Sequence, residues 1–428
     1  MTRRTMPLLI ASLVLAATAT VGLAACGDDG GGGGETSLNL TIGDLVPLTG
    51  DLADFGPPGR KAADLALDQI QAAVKEVGVD HTVKVVHEDD QTDAQAAVQA
   101  ARKLVDAENS TCIAGSWASS ASIPVARSVA IREKVLQISP ASTSDEISGL
   151  EDDGLINRTS PPDRFQGPTL ANAMEDALGG AQGKTVNIGA RNDAYGTGLS
   201  DTFSKAWEDK GGQIGERVIY DPEQPSYNSE ARQIASGNPD AWVIVDFPET
   251  YQKVGPALVR TGDWDPEKSF VTDGLASGDL PKNAGREATE GMRGTAPGSP
   301  DTGSASEAFD KLYTDAPGPD RQTFDAQNFD AVILCYLSAV AAGSTDGADM
   351  AGELQNVAGP GGDKFTWEQL PDAIRALQDG NDIDYEGASG PLTLNDDGDP
   401  TSGVYDLFRY RNGEIDVFDE TAVEAPGT

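Results

Sequence analysis

Residues 185–210 read TVNIGARNDAYGTGLSDTFSKAWEDK, and this stretch decides the fold. TVNIGAR is a short apolar run of the kind that forms a strand buried on both faces, and GTGLSDTFSKAWEDK reads as a helix. The same order continues through QIGERVIYD, NSEARQIASG, AWVIVDF, TYQKVGPALVRTG and KSFVTDG. An earlier series has the same grammar. LNLTIGDLVP leads to GRKAADLALDQIQAAV, HTVKVVHEDD to DAQAAVQAARKLVDA, and STCIAG to SIPVARSVAIRE, with VLQIS at its close. Strands separated by helices imply parallel sheets covered on both faces. Two such series, the second starting near Lys184, predict two α/β lobes.

Outside the lobes, the first residues set the compartment. Arg3 and Arg4 precede an apolar run that ends in LAAC at residues 23–26. A basic start, an apolar middle and small residues before the cut read as an export signal over 1–25. Cys26 directly after Leu-Ala-Ala matches a lipobox, in which the thiol is acylated and becomes the mature N-terminus. The glycine-rich segment 26–37 would be a flexible tether to the membrane. Removing 1–25 leaves 29 cations against 69 acids, a net charge of −40. So acidic a body is excluded as a nucleic-acid binder, which needs basic stripes. Cys112 and Cys335 are too few for a disulfide scaffold and are expected to be two buried free thiols.

In open parallel sheets, ligands bind beyond the carboxyl ends of the strands. Those ends here are VPLTGDLADFG with Phe55, GSWASS at 115–120, SPAST at 139–143, RNDAYGTG with Tyr195, VDFPET with Asp246 and TDGLAS with Asp273. GSWASS lacks the lysine and spacing of a phosphate loop and the G-x-S-x-G frame of a nucleophile elbow. The two histidines, His81 and His87, flank one strand and fit neither a hydrolytic triad nor a metal site. Ser119 and Ser120 at the mouth of one helix, and Thr143 opening the next, offer hydroxyls and N–H groups to one anion. Together they predict a carboxylate clamp.

These residues resemble the type I periplasmic binding proteins, in particular the leucine/isoleucine/valine-binding receptors of ATP-driven importers. The resemblance covers about 38–418 and rests on VPLTGDLADFG, VHEDDQTDAQAAVQAARKLV, ISPASTS, NRTSPPDRFQG, DAYGTGL, YDPEQPSYNSEARQI, VTDGLAS and SGPLTLNDDGDP. It implies two Rossmann-like α/β lobes with parallel-sheet cores, a three-segment hinge and a ligand cleft between them. It further implies that Ser119 and Thr143 hold a ligand carboxylate, while the Ala141 carbonyl and Asp273 receive its ammonium. Tyr195 would close from the far lobe, and Phe55, Trp117 and Phe324 would line the side-chain pocket. Asp273 stands where the leucine-type receptor has a glutamate. Trp117 is larger than expected, and Asp246 either adds a carboxylate to the pocket or faces solvent. These departures favour a polar, cationic or aromatic amine-bearing solute over a branched aliphatic one.

The acidic turns LNDDGDP and DGNDIDYEG do not match a calcium loop and are expected to be solvated. The expected organisation is an N-terminal lobe of 38–156 plus 297–392 and a C-terminal lobe of 158–295 plus 404–420. Crossings are placed at 156–160, 294–297 and 390–403. The expected function is capture of a small solute, most plainly an amino acid, without covalent chemistry or cofactor. The body would be a monomer outside the cytoplasm, serving a membrane permease and its ATPases. The alternatives are a sensory receptor of the same fold and an exported enzyme.

Overall fold

The computed structural model describes residues 37–300 and 304–424, so Cys26 and the leader lie outside the described residues. In the first lobe, β1 (Leu38–Val46), β2 (His81–Asp89), β3 (Cys112–Gly115), β4 (Leu136–Ser139) and β5 (Ile156–Arg158) form an all-parallel sheet in the order 2-1-3-4-5. The second lobe continues with β6 (Thr185–Arg191), β7 (Gln213–Tyr220), β8 (Ala241–Val245), β9 (Ser269–Val271) and β10 (Arg293–Pro297). A short third sheet of β11 (Asp363–Thr366), β12 (Ile383–Gly387) and β13 (Gly390–Pro391) belongs to neither and was not expected from the sequence. The hairpin of β14 (Ser402–Arg411) and β15 (Glu414–Glu424) then returns to the second sheet, whose order is 15-14-10-9-8-6-7.

Some helices between parallel strands begin or end where the sequence provides caps. Asp93 accepts from the N–H groups of Gln95 and Ala96 at the start of Ala94–Asp106, and Gly78 ends Gly56–Val77 at a φ of 86°, a conformation that costs glycine little. The most apolar helix, Asp325–Ala342, is buried from Asp325 through Val340 and packs between the first sheet and the helices around it. No single described helix is long and apolar enough to cross a membrane. The chain leaves the first sheet after β5, leaves the second after β10, and re-enters it at β14. One apolar cluster runs without a break from Phe55, Trp117 and Phe324 in the first lobe to Tyr195, Phe247 and Phe270 in the second. The lobes are therefore shut on each other.

The expectation of two free thiols is corrected. Cys112 on β3 and Cys335 on Asp325–Ala342 form a disulfide across 223 residues. Both are buried, but the helix lies over β3 and brings the two Cα atoms to 5.9 Å, within bridging reach. Nor are the acidic turns uniformly solvated: Asp399 is fully buried.

Candidate functional site

The loop 116–118 is held by serines rather than by glycines. The Ser116 carbonyl accepts from the hydroxyls of Ser139 (2.6 Å), Ser122 (2.8 Å) and Ser142 (3.3 Å), and the Trp117 carbonyl accepts from Ser142 at 2.9 Å. These bonds lock the ends of β3 and β4 together. Ser119 is the first residue of its helix rather than its cap; Ala118 holds the cap position. The Ser119 Oγ accepts from the Ser144 N–H at 3.2 Å, which leaves its own O–H free to donate. Thr143 does not open a helix, as its sequence position suggested. It sits in an irregular turn ahead of a short 3-10 segment, Ile147–Gly149. Arg158 braces this turn by donating to the carbonyls of Ser142 (3.1 Å) and Ser144 (2.9 Å), and it is itself tied to Asp399 at 2.6 Å.

Trp117 is seated by a glycine. A Cβ at Gly59 would lie 2.3 Å from the indole, so only glycine lets the helix Gly56–Val77 pass this close. Phe324 then meets both Trp117 and Phe55 edge to face, at 6.2 Å in each case. From the second lobe, Asp193 caps the helix Ala194–Asp209 and so fixes Tyr195. The Tyr195 hydroxyl donates to Asp273 Oδ1 at 2.7 Å and accepts from the Gly274 N–H at 3.1 Å.

These side chains enclose one small cavity of about 10 Å³, lined by Leu52, Phe55, Trp117, Ala118, Ser119 and Ala141 from the first lobe and by Tyr195, Phe247, Asp273 and Gly274 from the second, with Phe324 beside Trp117. That is room for about one water molecule. The structure thus brings together Phe55, Trp117, Ser119, Ala141, Tyr195, Asp273 and Phe324. Thr143 and Asp246 do not line the cavity. Asp246 is fully buried, accepting from Tyr220 (2.8 Å) and from the Phe247 N–H (2.9 Å), with Arg191 Nη1 at 3.8 Å. It is neither a pocket wall nor a solvent group, because Arg191 and Tyr220 draw it into the interior of its own lobe.

Thr143 leads to a residue the sequence analysis missed. Asp163, the first residue of the helix Asp163–Leu178, is fully buried, and its N–H donates to the Thr143 carbonyl at 2.8 Å. Neither its carboxylate oxygens nor Thr143 Oγ1 has a well-formed hydrogen bond. Burial first, and then the nearby Asp273 carboxylate, push the Asp163 carboxyl well above its usual range, with Thr143 opposing. Burial also pushes Asp273 up to about 6, against the pull of Tyr195 and Gln166. Of two acids that repel each other in a closed interior, one keeps its proton unless a cation comes to lie beside them. The sequence signal was slight: PPD at a helix start reads as an ordinary first-turn acid. Phe247 was missed as well. It stacks on Tyr195 with centroids 5.0 Å apart, so a single apolar letter beside Asp246 is part of the wall.

A family model described as periplasmic binding protein matches residues 39–409. Leu/Ile/Val-binding protein homolog 3 of Brucella melitensis is 26% identical over 381 residues, covering 88% of this chain and 93% of that protein. A leucine binding protein, LivK, from Thermotoga maritima superposes with a TM-score of 0.72 at 23% identity, covering 90% of this chain and 99% of that one. A solute binding protein of an ABC transporter from R. palustris, solved in complex with benzoate, superposes at 0.67 with 19% identity, covering 91% and 98%. The relatives are solute-binding proteins rather than enzymes.

Proposed function

The chain belongs to the periplasmic binding protein family, and from that premise we propose that it captures a small amine-bearing carboxylate, most simply an amino acid, and delivers it to an ABC importer. The observation that carries this reading is a single cavity with a hydroxyl donor, Ser119, on one lobe and a buried acid, Asp273, on the other. A zwitterion matches that polarity: its carboxylate takes the free Ser119 hydroxyl and nearby N–H groups, and its ammonium takes Asp273 and the Ala141 carbonyl. The benzoate-binding relative and the rings of Phe55, Trp117 and Phe324 raise an aromatic acid as a second reading. An aromatic acid without an amine would bring a carboxylate beside the buried Asp273 with no cation to offset it, so the amine-bearing solute is preferred.

In this proposal Cys26 carries the lipid anchor and 26–37 is the tether, which keeps the body near its permease by effective concentration. The Cys112–Cys335 disulfide fits an oxidising compartment outside the cytoplasm. The test is mass spectrometry of the small molecule that co-purifies with the unheated protein, followed by calorimetry with that molecule. Ser119→Ala should cost about 1.5–3 kcal/mol, the scale of a hydrogen bond to a charged group. Asp273→Asn should cost about 2–5 kcal/mol, the scale for removing one partner of a buried charge pair. If neither substitution weakens binding, the cavity is not the solute site.

A further inference from the structure

We propose that Arg191 is a positioning residue that couples shutting of the lobes to the acid at the cavity, with Asp51 as its partner across the cleft; this rests on the reading of the cavity as a solute site. Arg191 ends β6, and its side chain is 4% exposed, which makes it part of the interior rather than a surface cation. Its guanidinium lies 3.7 Å above the Phe247 ring. The other face of Phe247 stacks on Tyr195 with an interplanar angle of 17°, and the Tyr195 hydroxyl holds Asp273. A continuous relay therefore runs from Arg191 through two rings to the proposed ammonium partner.

The near end of the relay is fastened to the other lobe. Arg191 Nη2 donates to Asp51 Oδ2 at 2.9 Å, and Thr250 Oγ1 donates to the same oxygen at 3.1 Å. Asp51 belongs to the loop after β1, so both side-chain bonds leave its own lobe. Arg191 does not need Asp51 to be neutralised. Asp193 bonds its Nε, and Asp246 faces its Nη1 at 3.8 Å, both from the second lobe. Conversely, among the described residues no other cation lies within 4 Å of the Asp51 carboxylate, which is 28% exposed. The Asp51–Arg191 pair therefore adds to the shut form and not to the fold of either lobe. When it breaks, Arg191 loses the contact that presses its guanidinium onto Phe247, and Tyr195 loses its backing.

Hydrogen exchange of the full chain reads both ends of this relay. The Gly274 N–H bonds the Tyr195 hydroxyl at 3.1 Å, so its segment, 272–277, reports the position of Tyr195, while 115–120 reports exposure of the opposite wall. Asp51→Asn should raise exchange about five- to tenfold in both segments, a factor of five being about 1 kcal/mol. The thermal midpoint should fall by no more than about 2–4 °C, the same ~1 kcal/mol read globally, and Asp51→Glu should restore protection. Exchange within about twofold of wild type in both segments overturns the coupling. A rise confined to 115–120 overturns the positioning role, since Asp51 would then hold the lobes without acting through Arg191. The readout uses no solute. It can fail while the solute reading stands, and absence of any bound solute leaves the exchange result intact.

Discussion

Replacing both Cys112 and Cys335 by alanine tests the largest departure from the sequence-based expectation. The bridge closes a loop of 223 residues that contains the whole parallel part of the second sheet, β6 to β10. On the loop-entropy account, opening a loop of that length returns about 5 kcal/mol of conformational freedom to the unfolded chain. Measured losses commonly fall below that figure, so we expect about 3–5 kcal/mol. For a lobe of this size each kcal/mol moves the thermal midpoint by about 2–4 °C, which puts the shift on the order of 10 °C. Far-UV circular dichroism during thermal and urea unfolding measures it. Alkylation of the unfolded, unreduced wild type is the control: Cys112 and Cys335 should stay unmodified. A loss below about 1 kcal/mol, with the control intact, would refute the loop-entropy reasoning. Because β3 leads into Trp117 and Ser119 while the bridged helix follows Phe324, the variant should also bind its solute more weakly.

Three further outcomes follow from named contacts. Burial pushes Asp90 and Asp246 up to about 7, and Asp273 and Asp330 up to about 6. The folded chain therefore keeps protons that the unfolded chain has released above about 3.8. Their contribution to stability is complete below that pH and is lost as pH rises through 6 to 7. The thermal midpoint should fall between pH 5 and pH 8, and Asp246→Asn should flatten the fall; an unchanged slope would remove Asp246 from the titration. Arg158→Met leaves Asp399, itself fully buried, with the partly exposed Arg164 as its remaining cation. Equilibrium unfolding should register a loss of about 3–5 kcal/mol, and a change within about 0.5 kcal/mol would mean the pair does not hold the turn. Gly59→Ala places a methyl against the Trp117 indole. Overpacking of this kind costs about 1–3 kcal/mol, and the displaced ring should weaken solute binding in calorimetry.

The two lobes were legible because buried parallel strands repeat as apolar runs between amphipathic helices, and that pattern is local. Tyr195 and Asp273 were legible for the same reason, as residues at strand ends. What the sequence hid depends on packing between distant segments. Nothing local says that Asp325–Ala342 lies over β3, so two buried cysteines looked free. Asp163 reads as an ordinary first-turn acid until Asp273, far along the chain in the same lobe, is seen to lie beside it. Asp246 looked like a pocket group because its neighbours are, yet Tyr220 and Arg191 claim it. Asp399 sits in a turn whose letters are those of a solvated loop, and only Arg158 shows it is buried.

The shut cavity, with space for about one water, has a kinetic consequence. A solute cannot pass into or out of the shut form, so both capture and release go through the open one. The observed association rate is the encounter rate scaled by the fraction of molecules that are open, and dissociation can be no faster than opening. Contacts across the cleft, such as Ser277 to Asp54 at 2.6 Å, therefore lengthen the residence time of a captured solute and slow its capture together.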